Sequence, residues 1–89
     1  MKTEFITPKN LLAGDVMIVR FDDHLGYASE RHVVQNVFEK PAPGFKLWTV
    51  CHIKVGDRDK RRSYTSFSGK IGGSPAQKVE IEKRHDKAK

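Results

Sequence analysis

Four side chains in this 89-residue chain offer nameable chemistry at first sight: His24, Cys51, His52 and His85, with Asp22 and Asp23 beside the first. All are metal-ligand types. Cys51 and His52, however, are adjacent on a segment that reads as a strand, so they point to opposite faces. A structural zinc instead needs four converging ligands in closely spaced pairs. No metal is expected, and Cys51 reads as a small buried hydrophobe. Nucleophilic catalysis has no better footing. The serines gather between 63 and 74 without a Gly-x-Ser-x-Gly turn, and no histidine stands at a spacing that predicts a partner. The stretch Ser68-Gly69-Lys70-Ile71-Gly72-Gly73-Ser74 resembles a phosphate loop. Its lysine does not follow the Gly-x-x-x-x-Gly spacing, and no helix is expected after it to supply a positive dipole end. The chain therefore reads as a non-enzyme with no cofactor.

A second constellation is basic and aromatic. Strict alternation places Lys46, Trp48, His52 and Lys54 on one strand face, opposite Phe45, Leu47, Thr49, Cys51 and Ile53, which read as the core face. An indole among cations can stack on an unpaired base, worth about 1–3 kcal/mol, while the lysines hold phosphates. Alternatively Trp48 packs under a loop or against a second layer, as tryptophans commonly do. The cations Arg58, Lys60, Arg61 and Arg62 follow, and then Tyr64, which alternation places with Arg62 and Ser66 and opposite Phe67. If the Trp48 and Tyr64 strands pair as a hairpin, their polar faces form one surface. The bland alternative has Tyr64 closing the core with its hydroxyl in solvent.

Charge sharpens the second constellation. Residues 1–53 carry six basic and six acidic groups, whereas residues 54–89 carry eleven basic against five acidic, so the whole net charge of +6 lies behind Ile53. Its densest part, Lys54 to Arg62, surrounds Asp57 and Asp59 with five cations. Such asymmetry suits an anionic partner, either nucleic acid or an acidic protein. It also suits a solvated turn and a basic tail that serve solubility.

The elements that must position these residues are short. The length fits one small domain, residues 1–83, with 84–89 as a frayed basic tail. One cysteine excludes an internal disulfide, and the apolar run Val16–Val19 is far too short to span a bilayer. The N-terminus has no signal-peptide stretch, so a cytoplasmic protein is expected and a membrane partner is not. Thr7, Pro8 and Gly14 suit one short helical turn, followed by a strand over Val16–Phe21. Asp22 to Ala28 reads as a loop excursion. Residues 29–40 fit a strand or a helix started by Ser29 and stopped by Pro41, and the valines favour the strand. Phe45–Val55, Arg61–Ser68 and Lys78–Glu82 complete a set of five strands, with a flexible connection at Gly69–Pro75.

This pattern predicts a mainly β protein, a small five-stranded antiparallel barrel. A helix at 29–40 would make it α+β instead. The Leu11-Leu12-Ala13-Gly14-Asp15-Val16 stretch, the Val33–Phe38 strand and the Trp48 strand resemble the small SH3-like β-barrels found in many nucleic-acid-binding and phage-encoded proteins. That resemblance implies architecture, and SH3-like barrels serve nucleic-acid and peptide binding alike. Two functions remain open. One is phosphate-dominated nucleic-acid binding through Lys46, Trp48, His52, Lys54, Arg58, Lys60, Arg61, Arg62 and Tyr64. The other is a protein-interaction module or inhibitor, possible for a phage-encoded protein, that uses the same surface or a barrel edge on an acidic partner. The oligomeric state is left open.

Overall fold

A computed structural model describes residues 2–23, 26–69 and 77–84. The chain is mainly β: strands β1 (Thr3–Ile6), β2 (Val16–Asp23), β3 (Gly26–Ala42), β4 (Phe45–Lys54), β5 (Arg62–Ser68) and β6 (Val79–Glu82). They form one antiparallel six-stranded sheet in the order β1-β6-β2-β3-β4-β5. A 3-10 turn at Pro8–Asn10 follows β1 and is closed by Leu11 in extended backbone, not by Gly14, whose left-handed φ of 99° serves a separate turn before β2.

Three expectations are corrected and one is borne out. The sheet has a sixth strand, because Thr3–Ile6 pairs with β6 in the register Thr3↔Glu82 to Ile6↔Val79. Four residues without strict alternation carry little strand signal by themselves. The sheet is also open, since no ladder joins β5 to β1 or β6 among the described residues. It curls without closing: the amide of Gln77 donates to the Ser68 carbonyl at 3.1 Å. The gap leaves a cavity of about 280 Å³ reached by Phe5, Met17, Val19, Thr65, Phe67 and Val79. Residues 29–40 are strand, as their valines favour, lying wholly within the 17-residue β3, where Val33, Val34 and Val37 suit a pleated surface. Finally, the supposed excursion after Phe21 is a tight hairpin: the β2–β3 ladder runs from Val16↔Val33 out to Asp23↔Gly26.

The core lies on the concave side. Leu11, Met17, Val34, Val50, Val79 and Ile81 are buried there, with Ile6, Val19, Val37 and Phe67 packed against them. Each strand contributes alternate residues, so the register decides which face of β4 turns inward. Val50 pairs with Val37 and Thr65, and His52 with Val34 and Ser63, so the face carrying Trp48, Val50 and His52 is the inward one. The opposite face, with Phe45, Leu47, Thr49, Cys51 and Ile53, is the outer face, reversing the expectation. Lysines at both ends of the inward face disguised it: Lys46 and Lys54 reach solvent past the rims while Val50 and His52 between them are buried.

Ion pairs tie the outer rim together. Arg20 donates to both carboxylate oxygens of Glu80 at 2.6 and 2.8 Å, and Arg31 to both of Glu82 at 2.5 and 3.2 Å. Arg84, expected in the frayed tail, is anchored instead: its guanidinium spans the Asp15 carboxylate and the Asn10 carbonyl. The expectations for His24, for 70–76 and for His85 and the rest of the tail lie outside the described residues.

Candidate nucleic-acid interface

The nine residues singled out by sequence separate into three places. Lys46, Trp48, His52 and Lys54 share one face of β4 as expected, but it is the concave face. His52 is only 3% exposed. Trp48 is half-buried, opposite Phe67, and a Cβ on Gly69 would come within 3.3 Å of its indole nitrogen. The packed alternative therefore describes Trp48 better than an open stacking platform. Lys46 pairs with Glu39 at 2.8 Å and Lys54 with Glu30 at 3.1 Å.

Arg58, Lys60 and Arg61 lie in the β4–β5 turn and are exposed. Asp57 organises this turn. Its carboxylate accepts from the amides of Asp59 and Arg61 at 3.1 and 3.2 Å, and the Arg61 guanidinium stands 3.5 Å away. Desolvation raises the Asp57 pKa, but those amides and Arg61 outweigh it and hold the group below its usual range. Asp57 is thus spent inside the turn, and Arg58 and Lys60 have no carboxylate within ion-pair distance among the described residues.

Arg62 and Tyr64 lie on the outer face of β5, away from Trp48, because Tyr64 pairs with Cys51 and Arg62 with Ile53. The single Trp48–Tyr64 surface is therefore not formed. Tyr64 instead shares the outer face with a residue that sequence reasoning passed over. Phe38 of β3 pairs with Thr49, which pairs with Ser66, so Phe38 and Tyr64 flank β4 on the same side. Phe38 is 49% exposed and Tyr64 62%. Lys40, Arg62, Asn36 and Ser66, all exposed, stand around them, and no second layer covers this face among the described residues. The Cys51 thiol beside the Tyr64 hydroxyl raises the phenol pKa, so the ring is neutral at physiological pH. The outward orientation of Phe38 follows from a register shift in β3 between Val34 and Asn36, which the sequence does not signal.

A buried histidine pair sits on the inner face. His32 Nδ1 lies 2.9 Å from His52 Nδ1, and the rings meet edge to face at a centroid distance of 4.7 Å. One tautomer pair satisfies every nitrogen: His32 Nε2–H donates to Glu30, His52 Nδ1–H to His32 Nδ1, and the Thr65 hydroxyl to His52 Nε2. Burial, reinforced by the neighbouring His32, pushes the His52 pKa below its usual value. The short N···N contact has room for one proton, so the pair carries at most one charge without moving apart. No group of three or more His, Cys, Asp or Glu among the described residues could hold a metal.

Comparison with protein-family models, with curated proteins and with solved structures gave no match. Fold and site alone therefore define the class: a single curled antiparallel sheet with a polar-aromatic outer face and a cationic turn at one end of it. No helix among the described residues is long and apolar enough to cross a membrane.

Proposed function

We propose that this chain is a non-catalytic nucleic-acid-binding protein whose contact surface is the outer face of β3–β4–β5 together with the β4–β5 turn. One observation carries the reading: exposed Phe38 and Tyr64 stand on a sheet face left uncovered by the described residues, among Lys40 and Arg62 and next to the turn bearing Arg58, Lys60 and Arg61. Aromatic rings on an open sheet give bases something to stack on, and flanking cations neutralise the phosphates. The resemblance to SH3-like barrels contributes architecture only, and it suits a curled sheet that binds on a face rather than in a deep cleft. Lys46 and Lys54, paired with Glu39 and Glu30, are demoted to rim charges, and Trp48 and His52 to structural roles.

The test is a titration of single-stranded and duplex oligonucleotides across a salt series by fluorescence anisotropy. The expected result is binding at low salt with log K falling linearly in log salt. No binding at low salt refutes the reading.

A second reading has support from one feature: among the described residues β5 is an edge strand, preceded by Arg61 and beginning at Arg62, able to pair with an extended acidic segment of a protein partner. Absence of oligonucleotide binding, together with saturable binding of an acidic β-forming peptide, selects it.

A further inference from the structure

At the end of the outer face next to the turn lies a cavity of about 400 Å³, lined by Val33, Ile53 and Val55 together with Gln35, Asp57 and Lys60. Two backbone irregularities meet there. In β3, Val34 faces His52 and Asn36 faces Cys51, so Gln35 is the extra residue of a bulge with no partner on β4. Bulges re-aim side chains and are enriched beside binding sites. Gln35 is exposed, and its amide has no hydrogen-bond partner among the described residues. In the turn, Lys60 adopts φ of 51°, a left-handed conformation uncommon outside glycine. Its amide donates to the Asp57 carbonyl at 3.2 Å, and the neighbouring amides of Asp59 and Arg61 bind the Asp57 carboxylate. Charge around the cavity is nearly compensated: Asp57 is met by Arg61, and Lys54, which also borders it, by Glu30. Among the described residues that line it, Lys60 is the remaining cation. Apolar walls, one unengaged amide and one uncompensated ammonium match a flat heteroaromatic ring with a polar edge and an attached anion.

We propose that this cavity seats the base of one unpaired nucleotide, with Gln35 hydrogen-bonding the base edge and Lys60 holding the adjoining phosphate. The proposal rests on the nucleic-acid reading above and names its substrate class: single strands. Ile53, on the cavity wall, pairs with Arg62, two residues from Tyr64, so the cavity continues the row of the aromatic face. A paired base, stacked within a duplex, cannot enter it.

Anisotropy titrations of short homopolymeric single strands of each base, and of a blunt duplex, test the proposal on wild type, Gln35→Leu and Lys60→Asn. Asparagine tolerates the left-handed backbone, so the second variant removes charge without breaking the turn. Wild type is expected to prefer one base by at least about fivefold, as a bidentate amide contact provides. Gln35→Leu should erase that preference while leaving affinity for the poorest homopolymer unchanged. Lys60→Asn should weaken all homopolymers alike and reduce the salt slope by about 0.7. Single strands that bind with no base preference, or with a preference unaltered in Gln35→Leu, overturn the pocket and leave the outer-face reading standing. A duplex bound as tightly as single strands also overturns it. If no oligonucleotide binds, the parent reading fails and this one with it.

Discussion

Replacing Tyr64 and Phe38 by alanine, singly and together, separates the outer face from the inner one. A base stacked on an aromatic ring is worth about 1–3 kcal/mol, and each 1.4 kcal/mol is tenfold in affinity, so each single variant should bind single strands about 5- to 150-fold more weakly. The two rings are two strands and two residues apart, since Phe38 pairs with Thr49 and Tyr64 with Cys51. With strands spaced about 4.8 Å and a rise of about 3.4 Å per residue, that diagonal is about 12 Å. Rings so far apart stack on different bases, and the double variant should lose the sum of the two single losses within about 0.5 kcal/mol. Neither ring is charged, so the salt slope should match wild type. Both rings are largely exposed, so denaturant midpoints should move little. Trp48→Ala is the contrast: it removes a half-buried ring packed near Phe67 and Gly69, and should cost stability while sparing affinity. If the Tyr64 and Phe38 variants bind like wild type while folded Trp48→Ala loses affinity, the contact surface is the concave rim and the outer-face argument is wrong.

Ile81 is fully buried at the centre of the core, and Ile81→Ala should lower unfolding free energy by about 2–5 kcal/mol in a urea titration. Glu80 is held at about 2 by the Arg20 guanidinium and, further, by the Thr3 hydroxyl, against a usual 4.5. Because the folded pKa is the lower one, its stabilisation is full above pH 4.5 and is lost as the pH falls toward 2. Glu80→Gln should therefore flatten the acid limb of a plot of melting temperature against pH, and an unchanged limb would remove the Arg20–Glu80 pair from the account. His52 is depressed below its usual 6.5 by burial and then by His32, so its contribution is present above pH 6.5 and is lost as the pH falls below it. Urea midpoints measured on either side of pH 6.5 should differ in wild type and converge in His52→Gln. Cys51 is buried on the outer face beside Tyr64, so a thiol reagent should label it faster in Tyr64→Ala than in wild type; equal rates would contradict its position.

Strand content was written plainly in the chain, and its orientation was not. The alternation of Phe45 to Val55 announces a strand but not which of its two faces is inside, because both carry apolar residues. What decides is pairing with Val34, Val37 and Thr65, and those partners are distant in sequence. A register inferred one residue out moves every side chain to the other side. The bulge at Gln35 has the same invisibility: nothing in Val33-Val34-Gln35-Asn36-Val37 marks it, yet it carries both Val34 and Val37 into the core and turns Phe38 outward. The charge concentrated behind Ile53 was fully legible, since counting needs no partner. The histidine pair was not, because His32 gained meaning only when the ladder brought it against His52.

The length of β3 bears on how the molecule opens. Among the described residues, this strand is bonded on both sides only around Arg31–Val34: Met17 and Lys54 flank His32, and Val16 and Ile53 flank Val33. Before that overlap it belongs to the hairpin with β2; beyond it, to the hairpin with β4, which in turn carries β5. Two cooperative units are thus hinged on a few shared amides, and the proposed contact surface belongs to one of them. Amide hydrogen exchange should show the overlap as the slowest segment, with the β3–β4–β5 arm exchanging through its own sub-global opening. A ligand on the outer face would then slow exchange across that arm while leaving the β1–β6 ladder at its unliganded rate.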